Sequence, residues 1–281
     1  MCSPKTQEVI KYSKLSKLSL NIFIGIFWFL VFFIIIRIFI YDIYSVNTSS
    51  MYPAIIPGDK IIINKISFGI RILNPLKIIR LKGLREITYN DIVVFNNGYR
   101  TTFNINKVLV KRCIALPGDT ISISNGIYHN SSIEDSIIKY SSAYHISKFD
   151  IVPKLLDSYP FGTNIHWTIL DFGPLYVPRK GDLLSLSINN IVIYARYIKY
   201  ETGKEIVIKN DSLFLNNKSI CSYRFKENYY FIAGDNFKNS QDSRYFGLVP
   251  ESFIIGIATK VLYSIDPYTK KLNLNRIFKD I

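Results

Sequence analysis

Histidine and cysteine are scarce in this 281-residue chain, three of each, and the scarcity excludes several chemistries at once. His129, His145 and His166 stand apart, without Cys, Asp or Glu at ligand spacing, so no zinc site, other metal centre or cofactor is expected. No histidine is placed to activate a neighbouring nucleophile. Three cysteines do not make a disulfide framework. Cys2 precedes a long apolar run, which leaves Cys113 and Cys221 as the one possible pair beyond it, and buried free thiols are the expected state. Acidic side chains are also few: 35 Lys and Arg against 21 Asp and Glu give a net charge of +14. No basic run exceeds two residues, and the bases alternate with acids and Asn, so nucleic acid is not an expected partner.

A second membrane-length apolar run is absent as well, but one is present. Residues 21–41, Asn21 to Tyr41, are almost wholly apolar, with Arg37 the only charge. As a helix they would extend about 30 Å at ~1.5 Å per residue, the thickness of a bilayer core. Arg37 lies near the far end, where its stem can snorkel to the headgroups. Lys5, Lys11, Lys14 and Lys17 precede the run against a single Glu8. By the positive-inside rule the N-terminus stays cytoplasmic and the remainder is exported. The stretch is too long for a signal-peptide core and no small-x-small site follows it, so an uncleaved anchor is expected, in contact with membrane lipid.

Beyond the anchor the pattern is mostly β. Pro57-Gly58-Asp59 is a turn followed by a strand at 60–64; 67–90 reads as a loop excursion. Strands are expected at 91–95, closed by Asn96-Asn97-Gly98, and at 106–114. A hairpin is expected over 120–130 around Asn125-Gly126. Residues 131–183, with four prolines including Pro153, read as irregular. Leu184, Ile188, Ile191, Tyr194, Ala195 and Ile198 recur at helical spacing, which predicts one amphipathic helix over 185–201. Core strands are expected at 229–233 and 254–258, flanking a loop from Gly234 to Gly247.

The chemistry-bearing stretch is Val46-Asn47-Thr48-Ser49-Ser50-Met51-Tyr52-Pro53, just beyond the anchor. A serine hydroxyl is a weak nucleophile until a base takes its proton, and the candidate base is Lys111. In an alternating strand Lys111 shares its face with Leu109 and Cys113, while Arg112 points the other way with Val110 and Ile114. A lysine among apolar neighbours loses hydration of its charged form, so its pKa falls. Without that fall, deprotonation at pH 7 would cost roughly 4–5 kcal/mol. Taken alone, the two residues are equally a loop serine and a snorkelling strand lysine.

Four motifs in order change that balance. Thr48-Ser49-Ser50-Met51-Tyr52-Pro53 with Pro57-Gly58-Asp59 resembles the nucleophile block of bacterial type I signal peptidases. Asp91-Ile92-Val93-Val94-Phe95 resembles the family's next block, and Lys111 to Asp119 its lysine block. Gly234-Asp235-Asn236-Phe237-Lys238-Asn239-Ser240-Gln241-Asp242-Ser243-Arg244 resembles the last. The stretch Phe172 to Gly181 is similar to the Bacteroidetes-like version. Three positions depart from the pattern: Asn90 and Ala115 where glycine is usual, and Phe237 where arginine is usual.

The resemblance implies a signal-peptidase-type β-fold catalytic core, residues 42–121 and 229–266, with an inserted α+β subdomain at 122–228. A basic tail at 1–20 and the single transmembrane helix would precede it, and a C-terminal tail at 267–281 would follow. It implies Ser50 as nucleophile and Lys111 as general base. The Ser50 N–H and the Thr48 hydroxyl would meet the oxyanion, Ser240 would aim Lys111, and Asp242 with Arg244 would form an ion pair nearby. Val46, Asn47, Met51 and Leu109 are candidate walls for the substrate. The expected activity is a serine endopeptidase that removes signal peptides from exported preproteins at small-x-small sites. It would act on the outer face of the cytoplasmic membrane. A conjugation- or pilus-type processing peptidase shares these motifs, and a non-catalytic membrane-tethered binding protein is the alternative from another class. Self-cleaving repressors also use serine and lysine but are soluble, which the apolar run argues against.

Overall fold

The computed structural model describes residues 4–73, 78–96, 108–134 and 157–281, with side chains from Leu20 onward except 72–79. Expectations resting on Asn97-Gly98, Asn106, His145 or Pro153 lie outside the described residues.

The first element is the helix α1 (Pro4–Phe39). Its stretch Leu20–Phe39 is long and apolar enough to cross a bilayer, and none of it is buried against the rest of the protein. Apolar side chains that no protein covers are compatible with association with a membrane. The sequence pattern places the end of this run at Tyr41; the helix instead stops at Phe39. Lys65 supplies the reason. Its Nζ donates to the Arg37 and Ile38 carbonyls at 3.0 and 3.1 Å, and its backbone N–H donates to Ile40 O. Those carbonyls would otherwise be left open at the helix end. Tyr41 then enters a strand that periodicity did not reveal.

That strand, β1 (Tyr41–Ser45), pairs antiparallel with β2 (Asp59–Asn64). A short hairpin, β3 (Arg71–Leu73) and β4 (Ile78–Arg80), occupies part of the stretch expected as loop. Next come β5 (Ile92–Asn96) and β6 (Val108–Ala115). The hairpin β7 (Thr120–Ser124) and β8 (Ile127–Asn130) turns at Asn125 and Gly126, whose φ angles of 51° and 79° are those an Asn-Gly turn supplies. β9 (Phe172–Tyr176) adds to β7, so the 131–183 stretch is not wholly irregular.

β10 (Leu183–Ser185) takes residues assigned from spacing to the start of a helix. The helix α2 (Ile188–Thr202) begins later because Ser187 and Asn190 form a reciprocal capping box; it ends at Gly203 in the left-handed conformation. A meander of β11 (Ile206–Lys209), β12 (Ser212–Leu215) and β13 (Lys218–Ile220) follows, and β14 (Ser222–Arg224) pairs with β10. The chain returns through β15 (Tyr229–Ala233), the one-turn helix α3 (Ser243–Phe246), β16 (Val249–Pro250), β17 (Ile254–Ser264) and β18 (Lys279–Asp280).

The main sheet runs β1-β2-β17-β5-β6-β15-β16, with β18 also on β17. Alternation gives it two apolar faces. On one, Ile61, Ile63, Ile92, Val94, Val110, Ala258 and Val261 cover Val46, Met51 and Ile55 of the nucleophile loop. On the other, Val93, Phe95, Cys113, Ile232 and Ile257 pack with Phe68 and Phe253. Register shifts within β17 bend this sheet. Residues 267–281, read from sequence as a tail, return to the sheet as β18. Cys113 is buried and Cys221 exposed, both free, so the expected burial holds for the first alone.

The inserted α+β region packs on the sheet through aromatic rings. Phe231 of β15 meets Tyr128 and Phe172 edge-on at 6.3 and 5.6 Å, and Phe225, Tyr197 and Tyr229 continue the cluster. Phe231→Ala is expected to cost about 3–5 kcal/mol, read as a lowered urea midpoint, because the ring joins two layers with no exposed surface of its own.

Candidate active site

The nucleophile loop is closed by its own ends. Val46 N donates to Asp59 O and Gly58 N to Val46 O; within the loop Tyr52 N donates to Ser49 O and Ile55 N to Met51 O. Met51 and Ile55 are fully buried beneath it, so the turn carrying Ser50 rests on the core. The loop after β15 grips it from the other side. Asn236 N donates to Ser50 O at 3.0 Å, its side-chain amide to Ser49 O at 3.2 Å, and the Asn239 amide to Ser49 Oγ at 2.8 Å. A Cβ at Gly234 would stand 2.2 Å from Ser240 Oγ and 2.5 Å from Ser50 O. Glycine is required there for the two loops to touch.

β6 carries Lys111 to this point. Its Nζ lies 2.6 Å from Ser50 Oγ and 3.1 Å from Val110 O. Lys111 is 3% exposed and Ser50 8%. Burial pulls the lysine down from its ordinary 10.5 to about 8, with Asp242 opposing, Arg244 assisting and Asp235 opposing. At pH 7 the free amine then costs about 1.4 kcal/mol, against about 5 at the ordinary value. An amine that has lost its proton can accept one from a hydroxyl at this distance, so the arrangement has the makings of a base and a nucleophile.

Lys111 alternates as expected with Leu109 and Cys113, which join one apolar cluster while Val110 joins the other. The alternation fails at Ile114. β15 pairs Phe231 with Ala115 and Ile232 with Cys113, so Ile114 is a bulge residue and packs into the inserted region instead.

Two buried ion pairs flank the amine. Arg244 Nε and Nη2 donate to the Asp242 carboxylate at 2.9 and 2.8 Å, with both side chains fully buried. Burial alone would raise the Asp242 carboxyl; the Arg244 charge and its hydrogen bonds hold it below the usual range. Gly234 N also donates to this carboxylate, at 3.0 Å. The second pair was not singled out from sequence: Arg112 Nε and Nη2 each donate at 2.7 Å to Asp235, and its Nη1 to Asn90 O. Charged residues of opposite sign inside two separate motif blocks were the available signal. Ser240 is buried, and its hydroxyl stands beside the Asp242 carboxylate rather than on the Lys111 amine. It faces Asp242 closely enough to favour that carboxylate's charge.

Thr48 is exposed, with Oγ1 3.4 Å from Ser50 Oγ. Val46, Asn47, Met51 and Leu109 all line one groove of about 540 Å³ that contains Ser50 and Lys111 and is walled by Ile43–Ser45 and Val108–Val110. β15 pairs with β6 only from Arg112 onward. Among the described residues, Val108–Lys111 therefore has β5 on one side and an open edge on the other. An extended peptide can add to such an edge by backbone pairing. No group of three or more His, Cys, Asp or Glu suited to a metal ion occurs among the described residues.

The three departures from the motif pattern have local accommodations. Asn90 takes φ 69°, the left-handed conformation glycine would supply. Ala115 is fully buried and joins the cluster formed with the insertion. The Phe237 ring lies under the Arg244 guanidinium, 3.9 Å from centroid to Cζ.

Comparison with known proteins gives a consistent result. The family model described as signal peptidase, peptidase S26, matches residues 19–150 and 177–263. A signal peptidase I of Buchnera aphidicola from Schizaphis graminum is 32% identical, over 85% of this chain and 72% of its own length. That of the Baizongia pistaciae strain is 29% identical over 88% and 78%, and that of Aquifex aeolicus 25% identical over 82% and 78%.

Activity should follow the free amine. The acid limb of kcat/KM is expected to titrate near pH 8, well below the ordinary lysine value of 10.5. Between those two pH values the unfolded chain holds a proton that the native state has released, so stability should rise as pH rises across that window. A limb that titrates near 10.5 would contradict the burial argument.

Proposed function

The chain belongs to the signal peptidase family, peptidase S26, serine peptidases that remove signal peptides, and we propose that Ser50 and Lys111 carry this reaction. The observation that supports the assignment is the 2.6 Å approach of a buried, weakly basic lysine to a serine hydroxyl. Lys111 takes the proton as Ser50 Oγ attacks the scissile carbonyl. The resulting ammonium gives the proton to the leaving amine, and the acyl-enzyme is hydrolysed by a water that Lys111 deprotonates in turn. The Ser50 N–H and the Thr48 hydroxyl are the oxyanion donors in this reading, each typically worth ~3–4 kcal/mol. Asp242 and Arg244 act by holding the loop and its charge balance. Ser240 stands beside the Asp242 carboxylate and supports its charge.

The substrate is the signal-peptide region of an exported preprotein, laid along the open edge Val108–Lys111. Val46, Asn47, Met51 and Leu109 form walls that admit small side chains on either side of the cut. The apolar helix Leu20–Phe39 anchors the enzyme in the cytoplasmic membrane with its basic N-terminus inside and the β-fold outside. β1 starts two residues after that helix and itself walls the groove. Ser50 lies eleven positions after Phe39, a reach of at most about 40 Å even if fully extended. Enzyme and signal peptide thus share one bilayer, which raises their effective concentration.

Ser50→Ala and Lys111→Ala should each abolish cleavage of a preprotein in detergent micelles. Lys111→Arg should do the same, because a guanidinium does not give up its proton. Full cleavage by Ser50→Ala would end the proposal. In intact cells, a protease added from outside should reach the β-fold only after the outer envelope is opened, and should leave the basic N-terminus intact.

A further inference from the structure

The segment after Ser264 lies beyond the residues that the family model matches, yet it returns to the nucleophile loop. Ile265 N donates to Gly58 O. At Gly58, φ is +97° and an added Cβ would stand 2.1 Å from Ile265 O, so chain and loop touch backbone to backbone. Asn273 N donates to Ser264 O, and a single helical turn then delivers Arg276. Arg276 is 7% exposed and Asp59 0%. Its Nε and Nη2 donate to the two Asp59 carboxylate oxygens at 2.8 and 2.6 Å, and Nη2 also donates to Ala54 O at 2.9 Å. The same Asp59 carboxylate accepts Ile56 N at 2.9 Å.

Asp59 O in turn holds Val46 N, so this one aspartate ties together the start, the middle and the end of the 46–59 loop. Past Arg276, β18 pairs with β17, and Ile281 packs against the cluster that contains Val46, Met51 and Ile55. A fork-shaped guanidinium is suited to this task because it fixes direction as well as distance.

We propose that Arg276 is a positioning residue for Ser50. Acting through Asp59 and Ala54, it sets the loop so that the hydroxyl stays within reach of the Lys111 amine. This rests on the reading of Ser50 and Lys111 as the reacting pair. Arg276 touches neither substrate nor reacting atoms, and the edge Val108–Lys111 lies outside the loop it holds, so its loss should slow the chemical step far more than it weakens binding in the groove. Displacing a reacting group by about an ångström is enough to lose about 100-fold in rate.

The test uses the full chain in detergent micelles with a preprotein substrate, and four variants: Arg276→Met, Arg276→Lys, Arg276→Met with Asp59→Asn, and Ser50→Ala. For Arg276→Met, kcat should fall about 10- to 100-fold with KM within about twofold, while circular dichroism and the urea midpoint give the folded fraction. Arg276→Lys keeps the charge but not the fork and should give an intermediate kcat with a melting temperature near that of the parent. This variant decides the question if Arg276→Met does not fold. The double variant, which leaves no buried carboxylate unpaired, should be no slower than Arg276→Met alone. An unchanged kcat in both single variants, or losses that match the unfolded fraction, would overturn the inference while the parent remains active. Cleavage by Ser50→Ala would instead overturn the reading beneath it.

Discussion

An amine made easier to deprotonate by burial, held against an alcohol, is the condition on which this structure turns. Lysine is charged by preference, and burial weakens the preference: β6 places Lys111 in an apolar sheet with the Ser50 loop packed against it. Neighbouring charges do little to change that outcome because they come as pairs. Asp242 would hold the amine protonated, but Arg244 pushes the other way. Asp235 likewise has Arg112 on its own carboxylate. A carboxylate left unpaired at that depth would stabilise the ammonium and remove the base.

The remaining architecture serves to keep two loops in register. One carries Ser50 and rests on Met51 and Ile55; the other runs from Gly234 to Gly247 and reaches across with Asn236 and Asn239. Buried arginine–carboxylate pairs recur at each join: Arg112 with Asp235, Arg244 with Asp242, Arg276 with Asp59. Such pairs contribute little net stability because of the desolvation they require. Their directional hydrogen bonds do restrict loop geometry, which an apolar contact would leave looser. The anchor is joined to the same sheet by Lys65, which binds the last carbonyls of α1 and the Asp42 carboxylate.

How much could be read from the residues varied with the range of the interaction. The Asn125-Gly126 hairpin and the strands at 60–64 and 229–233 depend on near neighbours, and they stand where pattern placed them. Pattern failed where a distant partner intervened. Tyr41 reads as the end of an apolar run, but pairing with Asn64 makes it a strand. The start of α2 moved because Leu183–Ser185 pair with Ser222–Arg224. Ser240 was assigned a bond to Lys111 by motif, and the loop instead sets its hydroxyl against Gly234 and the Asp242 carboxylate.

Sequence alone determined the apolar helix, the predominance of strands, and the four blocks that hold the chemistry, Ser50 and Lys111 among them. Each of these is written in short-range periodicity or in a contiguous motif. Only the tertiary structure decided that Ser50 and Lys111, 61 positions apart, share a hydrogen bond. It alone decided that Arg276 closes on Asp59 across 217 positions, and that β15 stops short of Val108–Lys111, whose second edge is open among the described residues. Burial and strand register are properties of the assembled sheet: an amine loses basicity, and a strand edge stays unpaired, only when segments remote in the chain exclude water from one and stop short of the other.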